Sequence, residues 1–214
     1  MARNKYPEIT ESRILDAATK LFLENGWEET TIQDIVDELG DVTRGAFYHH
    51  FKSKYDIIDA VTTRLFIQDN PLTTVKADNQ LNGLEKLKKV LLLSVTDKEQ
   101  LKFMKSAPSV LRSPQIVAKQ LNDCVYAISP LLQVYIEEGV QDGSINIAYP
   151  KQAAESLVIL ANLWFSPVLF PVSKDEFMQK LEHFKLMFDG IGLPIIDEQF
   201  QQAFERYYDY IIVS

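Results

Sequence analysis

Residues 39–54 read LGDVTRGAFYHHFKSK. Gly40 has the character of a helix stop and Thr43 that of a cap, and Phe47 and Phe51 fall one turn apart on the same side of the short helix that follows. Upstream, Ile32, Ile35, Val36 and Leu39 form a stripe at helical spacing, with Thr30 and Gln33 at capping-box distance. Further upstream, Ile14, Leu15, Ala18, Leu21 and Phe22 share one face, and Gly26 ends that segment. Downstream, Ser53 with Asp56 opens another helix, expected through about residue 68. Three short helices with a glycine-containing turn between the second and third form the pattern of a helix-turn-helix unit.

The helical period continues outward. The polar stretch QDNPLTTVKADNQLN (68–82) interrupts it, and Asn82 with Glu85, Thr96 with Glu99, and Ser113-Pro114 mark new helix starts. The last of these opens a long segment reaching Gly143, with a kink or break expected at Pro130. Ser173 with Glu176 starts a helix carrying Phe177, Leu181, Phe184 and Phe188 on one face, and a final helix runs from the region of Asp197. No segment shows sustained alternation or a hairpin turn pair. The expected fold is all-α: a three-helix helix-turn-helix domain over residues 1–52, then a larger helical regulatory domain over 53–214. The run SLVILANLWFSPVLFPVS (156–173) is uncharged and near the minimum for a membrane span, but Asn162, Pro167 and Pro171 spoil it, so a helix buried in a bundle or subunit interface is expected, with no membrane partner. The first ten residues lack the apolar core of a secretory signal, and a single cysteine, Cys124, forbids an intrachain disulfide. Both point to a reducing, cytoplasmic location.

Charge sharpens the functional reading. The chain of 214 residues has a formal net charge of −8, and residues 1–56 carry seven Lys and Arg against eleven Asp and Glu. A nonspecific polycation is excluded, so any nucleic-acid surface must be a focused patch. The opening window supplies one. It holds Arg44, Lys52 and Lys54 against a single acid, Asp41, with Tyr48, His49 and His50 between the cations. At the start of a recognition helix capped by Thr43, Arg44 has the fork that reads guanine O6 and N7. Gly45 and Ala46 are small enough to let the helix sink into the groove, and the Ala46 methyl suits a thymine methyl. Tyr48, His49 and His50 can donate to phosphates at the rim. Lys54, opening the fourth helix, and Thr31, opening the second, suit phosphate as well, and Gln33 projects toward bases from the second helix.

The residues ILDAATKLFLENGWEETTIQDIV followed by TRGAFYHHFKSK resemble the DNA-binding domain of the TetR (tetracycline repressor) family of bacterial regulators. The hydrophobic ladder, the Gly26 stop, the Thr-Thr pair and the aromatic–His–Phe–Lys ending agree in order. Beyond this domain the likeness is confined to helical character, length and the EEGVQDG turn. The turn before Thr43 departs from the family's usual Ala-Gly-Val-Ser. Here Leu39-Gly40-Asp41-Val42-Thr43 is one residue longer and carries an acid, which is expected to point away from DNA. The resemblance implies a sequence-specific regulator of double-stranded DNA, a homodimeric repressor released from a palindromic operator by a small apolar or amphipathic ligand. The alternative is a regulator controlled by a protein partner, or an activator, with no small-molecule effector. The homodimer is expected through helices over residues 150–170 and 174–189.

For the ligand there is composition alone: Phe66, Phe103, Met104, Tyr126 and Trp164 have the character of cavity-lining residues, as they do of ordinary core. Asn122 and Asn162 are polar groups on apolar faces. No catalytic residue or cofactor is expected, because no G-x-S-x-G and no glycine-rich phosphate loop occurs. No metal site is expected either. His49 and His50 are adjacent and point about 100° apart on a helix, while His183 is remote in sequence.

Overall fold

The computed structural model describes residues 7–65, 75, 78–106 and 111–212. Among them all regular structure is helical: α1 (Pro7–Asn25), α2 (Ile32–Leu39), α3 (Arg44–His50), α4 (Lys54–Thr63), α5 (Gly83–Thr96), α6 (Lys98–Ser106), α7 (Pro114–Asp123), α8 (Ser129–Asp142), α9 (Pro150–Ile159), α10 (Lys174–Gly190) and α11 (Glu198–Ile212). The chain divides into two compact units, one of residues 1–69 and 102–110, the other of 70–101 and 111–214. Sequence reasoning puts the boundary between the DNA-binding and regulatory domains after Lys52. Compactness instead groups α4 with that segment and adds the second half of α6 to it.

In the N-terminal unit α1 packs on α2 and α4, and α2 on α3. Ile14, Ala18, Phe22, Ile35, Phe47, Ile57 and Ile58 are fully enclosed. Each of the Ile and Phe side chains contributes about 1.5–3 kcal/mol by leaving water, which is what holds helices this short. Gly26 and Gly40 both take positive φ, +86° and +70°, and end α1 and α2 as the sequence suggests. The cap of α2 lies one residue further on than the expected Thr30–Gln33 pair. Thr31 accepts from the Asp34 amide, and the Asp34 carboxylate accepts from the Thr31 amide at 2.7 Å. Thr30 is buried, and its hydroxyl turns back to donate to the carbonyls of Gly26 (2.8 Å) and Leu21 (3.2 Å). The first threonine seals α1 and the second opens α2.

In the C-terminal unit α8 packs between α5 and α9, and α11 packs on α5 and α10. Asn82–Glu85 and Ser173–Glu176 form capping boxes. The Thr96–Glu99 expectation is not met: Thr96 donates to the Leu92 carbonyl inside α5, and Asp97 accepts from the Gln100 amide to open α6. Pro130 produces the expected irregularity in the form of a π-turn. Residues Cys124–Ile128 widen so that Ser129 N–H bonds the Cys124 carbonyl, five residues back, just before the residue that has no N–H. A second π-turn, Leu160–Trp164, ends the uncharged run ahead of Pro167, with Phe165 N–H on the Leu160 carbonyl at 3.1 Å. No helix among the described residues is long and apolar enough to cross a membrane. Phe165, Phe177, Phe184 and Phe204 form an aromatic core, Phe177 and Phe204 stacking at 4.7 Å.

Candidate nucleic-acid interface

Thr43 caps α3, its hydroxyl accepting from the Ala46 amide at 3.2 Å. Phe47 then enters the core completely, and Phe51 follows just past the end of the helix. That anchoring decides what faces outward. Arg44, Gly45, Tyr48 and His49 are exposed and share the opposite face at spacings of three and four, with Ala46 and His50 half-buried at its edges. The Arg44 guanidinium lies 5.9 Å from the centre of the Tyr48 ring, and that ring meets Phe47 edge-on at 5.7 Å. The two side chains are therefore held beside one another on the solvent side.

The flanking residues are more engaged than their types suggest. Lys54 does not extend freely. Its Nζ donates to the Glu28 carbonyl at 3.2 Å and sits 4.4 Å over the Trp27 ring. Loss of water there pushes its pKa down, against the pull of Glu28, Glu29 and Asp34. Thr31 keeps its hydroxyl and amide on the Asp34 carboxylate, which those bonds hold below the usual carboxylate range. A phosphate at that corner would have to displace the carboxylate. Gln33 is exposed and donates to Asp37 at 2.8 Å. Lys52 is exposed, and its backbone amide donates to Asp56.

Two contacts at this site follow from no pattern in the sequence: the Trp27 platform under Lys54, and the grip of Arg13 on Asp41, 28 residues away. Adjacent charge signs along the chain reveal neither, because both depend on how α1 lies against the rest of the unit.

The residues of ligand-lining character are divided between the two units. Phe66 lies outside the described residues. Phe103 is wholly buried and Met104 half-buried, both in the N-terminal unit. In the C-terminal unit Trp164 is half-buried against Phe165 and His183, whereas Tyr126 is 79 % exposed on an outer face. The Asn162 amide donates to the Val158 carbonyl at 2.9 Å. No group of three or more His, Cys, Asp and Glu among the described residues has the arrangement of a metal site.

An all-helical chain that presents a cationic, ring-bearing face on a helix seated by a glycine turn is a helix-turn-helix DNA-binding protein. Residues 14–61 match the family model of bacterial regulatory proteins, tetR family. The chain is 26 % identical over 193 residues to the HTH-type transcriptional repressor KstR2 of Rhodococcus jostii, covering 86 % of this chain and 91 % of that one. It is 34 % identical over 95 residues to the HTH-type transcriptional regulator TtgR of Pseudomonas putida, covering 43 % and 45 %. Among solved structures it is similar to a TetR-family transcriptional regulator from Pectobacterium atrosepticum, with a TM-score of 0.63 at 20 % identity, covering 90 % of this chain and 98 % of that one. It is also similar to GusR of Salmonella enterica, with a TM-score of 0.61 at 19 % identity, covering 98 % and 99 %. Residues 14–61 form a DNA-binding domain of the tetR family, and the chain is a DNA-binding transcriptional regulator.

Proposed function

We propose that the protein is a homodimeric repressor that holds a palindromic operator and leaves it when a small apolar or amphipathic ligand binds. The observation that carries the reading is the outward row Arg44, Gly45, Tyr48 and His49, on a helix whose other side is locked into the core. Arg44 reads a guanine, Gly45 and Ala46 admit close approach to base edges, and Tyr48 with the histidines and Lys54 grips phosphates. Two such helices on a C2 dimer would occupy successive major grooves, about 34–36 Å apart.

A second copy is supported by α10. Its buried side carries Phe177, Leu181, Phe184 and Phe188, while Leu186, Met187 and, at its end, Ile191 stand exposed near His183 and the adjoining Trp164. Apolar side chains at that spacing on an outer face suit a four-helix contact with the segment after Pro150 and the same two elements of the partner. Repression agrees with the similarity to KstR2, a transcriptional repressor. Ligand control requires unequal affinity for two conformers, and α4, which continues from the recognition segment, is the element to transmit it. A second reading, control by a protein partner, is favoured by the outward patch of Leu121, Val125 and Tyr126.

Selection of bound sequences from random duplex DNA at near-physiological salt tests the proposal. The expected result is an enriched palindrome, followed by its release in a compound screen. Weak, steeply salt-dependent binding with no enriched sequence would overturn the operator reading. A palindrome that no compound releases would move control to the protein-partner reading.

A further inference from the structure

Asp41 is the acid of the lengthened turn, and Arg13 holds it with both terminal nitrogens: Nη1 donates to Oδ2 at 3.0 Å and Nη2 to Oδ1 at 2.6 Å. The turn itself is tight. Gly40 takes φ +70° and ψ −34°, and the Asp41 amide donates to the Leu39 carbonyl at 2.8 Å, closing a three-residue γ-turn that glycine accepts without strain. Val42 is buried next, and Thr43 then caps α3. The carboxylate thus projects two residues before the cap of the recognition helix. α3 has seven residues and buries only Phe47 within its span. A helix this short has little direction of its own and takes it from its ends. Phe51 anchors the far end. At the near end the fixed points are Val42 and the Arg13–Asp41 pair, with Lys20 and Glu38, 2.7 Å apart, tying α1 to the last turn of α2.

We propose that Arg13 and Asp41 are a positioning pair that sets the direction of α3 and, through it, the register of Arg44 and Tyr48 on DNA. Only the last clause rests on the DNA-reading function. A guanidinium fork on a carboxylate fixes orientation as well as distance, which a single Lys contact does not. Both side chains are well exposed, 44 % and 63 %, so the pair adds little to global stability and its effect is local. Arg13 also neutralises the one acid of the lengthened turn.

The test is amide hydrogen exchange across residues 43–50 in the free, full-length protein, comparing wild type, Arg13→Gln, Asp41→Asn and the exchanged pair Arg13→Asp with Asp41→Arg. Each single variant is expected to speed exchange in α3 by about threefold to fivefold, the scale of a well-placed exposed ion pair, with the melting temperature nearly unchanged. The exchanged pair restores protection. Affinity for a selected operator falls in the same order, and by more than affinity for random duplex. Unchanged α3 exchange in both singles overturns the proposal. So does an equal loss of protection across α1, α2 and α3 with a lowered melting temperature, which would make the pair a general stabiliser. If Asp41→Asn tightens binding to every duplex while α3 exchange stays put, Asp41 is only a repulsive charge. If wild type selects no operator, the DNA-reading function fails, and the exchange measurements still decide the positioning role.

Discussion

At the scale of single residues, the recognition face makes two separable predictions. Tyr48→Phe removes one hydroxyl and keeps the edge contact with Phe47. Operator affinity is expected to fall by about 1 kcal/mol, near fivefold, with no change in the unfolding midpoint. A titration at several salt concentrations checks it, since a lost phosphate contact weakens all duplexes alike. Arg44→Ala is expected to relax discrimination at one base pair by about 1–3 kcal/mol, read by comparing the operator with single-base variants. This half of the site was legible in the sequence, because Phe47 and Phe51 at their spacing dictate that Arg44, Gly45, Tyr48 and His49 turn outward. The settings of Lys54 and Thr31 were not. A lysine near a helix start reads as free cation, and only the approach of Trp27 and the Glu28 carbonyl shows that it is already held.

At the scale of elements, most helix starts were readable because caps obey short-range chemistry. The exceptions are instructive. Thr30 and Thr31 have the same side chain, and Thr96 and Asp97 both carry side-chain oxygens able to accept a cap hydrogen bond. Which of two neighbours caps is settled by which one the core swallows or the preceding helix claims. The acids that do the capping carry a pH signature. Hydrogen bonds from Thr31, Ser53 and Ser173 hold Asp34, Asp56 and Glu176 below their ordinary carboxylate values. The unfolded chain takes up these protons first as pH falls, so their stabilisation is complete at neutral pH and disappears as pH drops below about 4 and through the lowered values. Thermal melts are expected to be flat from neutral pH to about 5 and to fall below that, with Asp34→Asn showing a shallower fall than wild type. Packing between elements gives a sharper test. A Cβ on Gly83 would stand 2.1 Å from the Gly139 amide nitrogen, backbone against backbone, where α5 crosses α8. Gly83→Ala is expected to destabilise the protein by at least about 1–3 kcal/mol in urea unfolding, although alanine is the better helix former. Nothing in the sequence announces that crossing, since the two glycines lie far apart along the chain.

At the scale of the whole molecule, the proposed dimer rests on the outer side of α10. Helical periodicity told correctly which side of this helix is buried, and the same period leaves Leu186 and Met187 outside, where a lone chain has no use for them. The double variant Leu186→Glu with Met187→Glu removes no core contact, so helix content and unfolding within each chain should persist. Two carboxylates brought against their symmetry mates would repel and desolvate, and the proposed dimer should part into monomers in sedimentation. Affinity then separates the two things a palindrome offers. Each half-site contact depends on Arg44 and Tyr48, which the variant leaves untouched. The second half-site is reached only because the first holds it close, and that gain is typically a hundredfold or more. Binding to the full operator should therefore fall by roughly that factor, while binding to an isolated half-site stays as it was. A variant that turns monomeric yet keeps full operator affinity would mean that the two recognition helices are not held to a common spacing by this surface, and the repressor would have to assemble on DNA by another face.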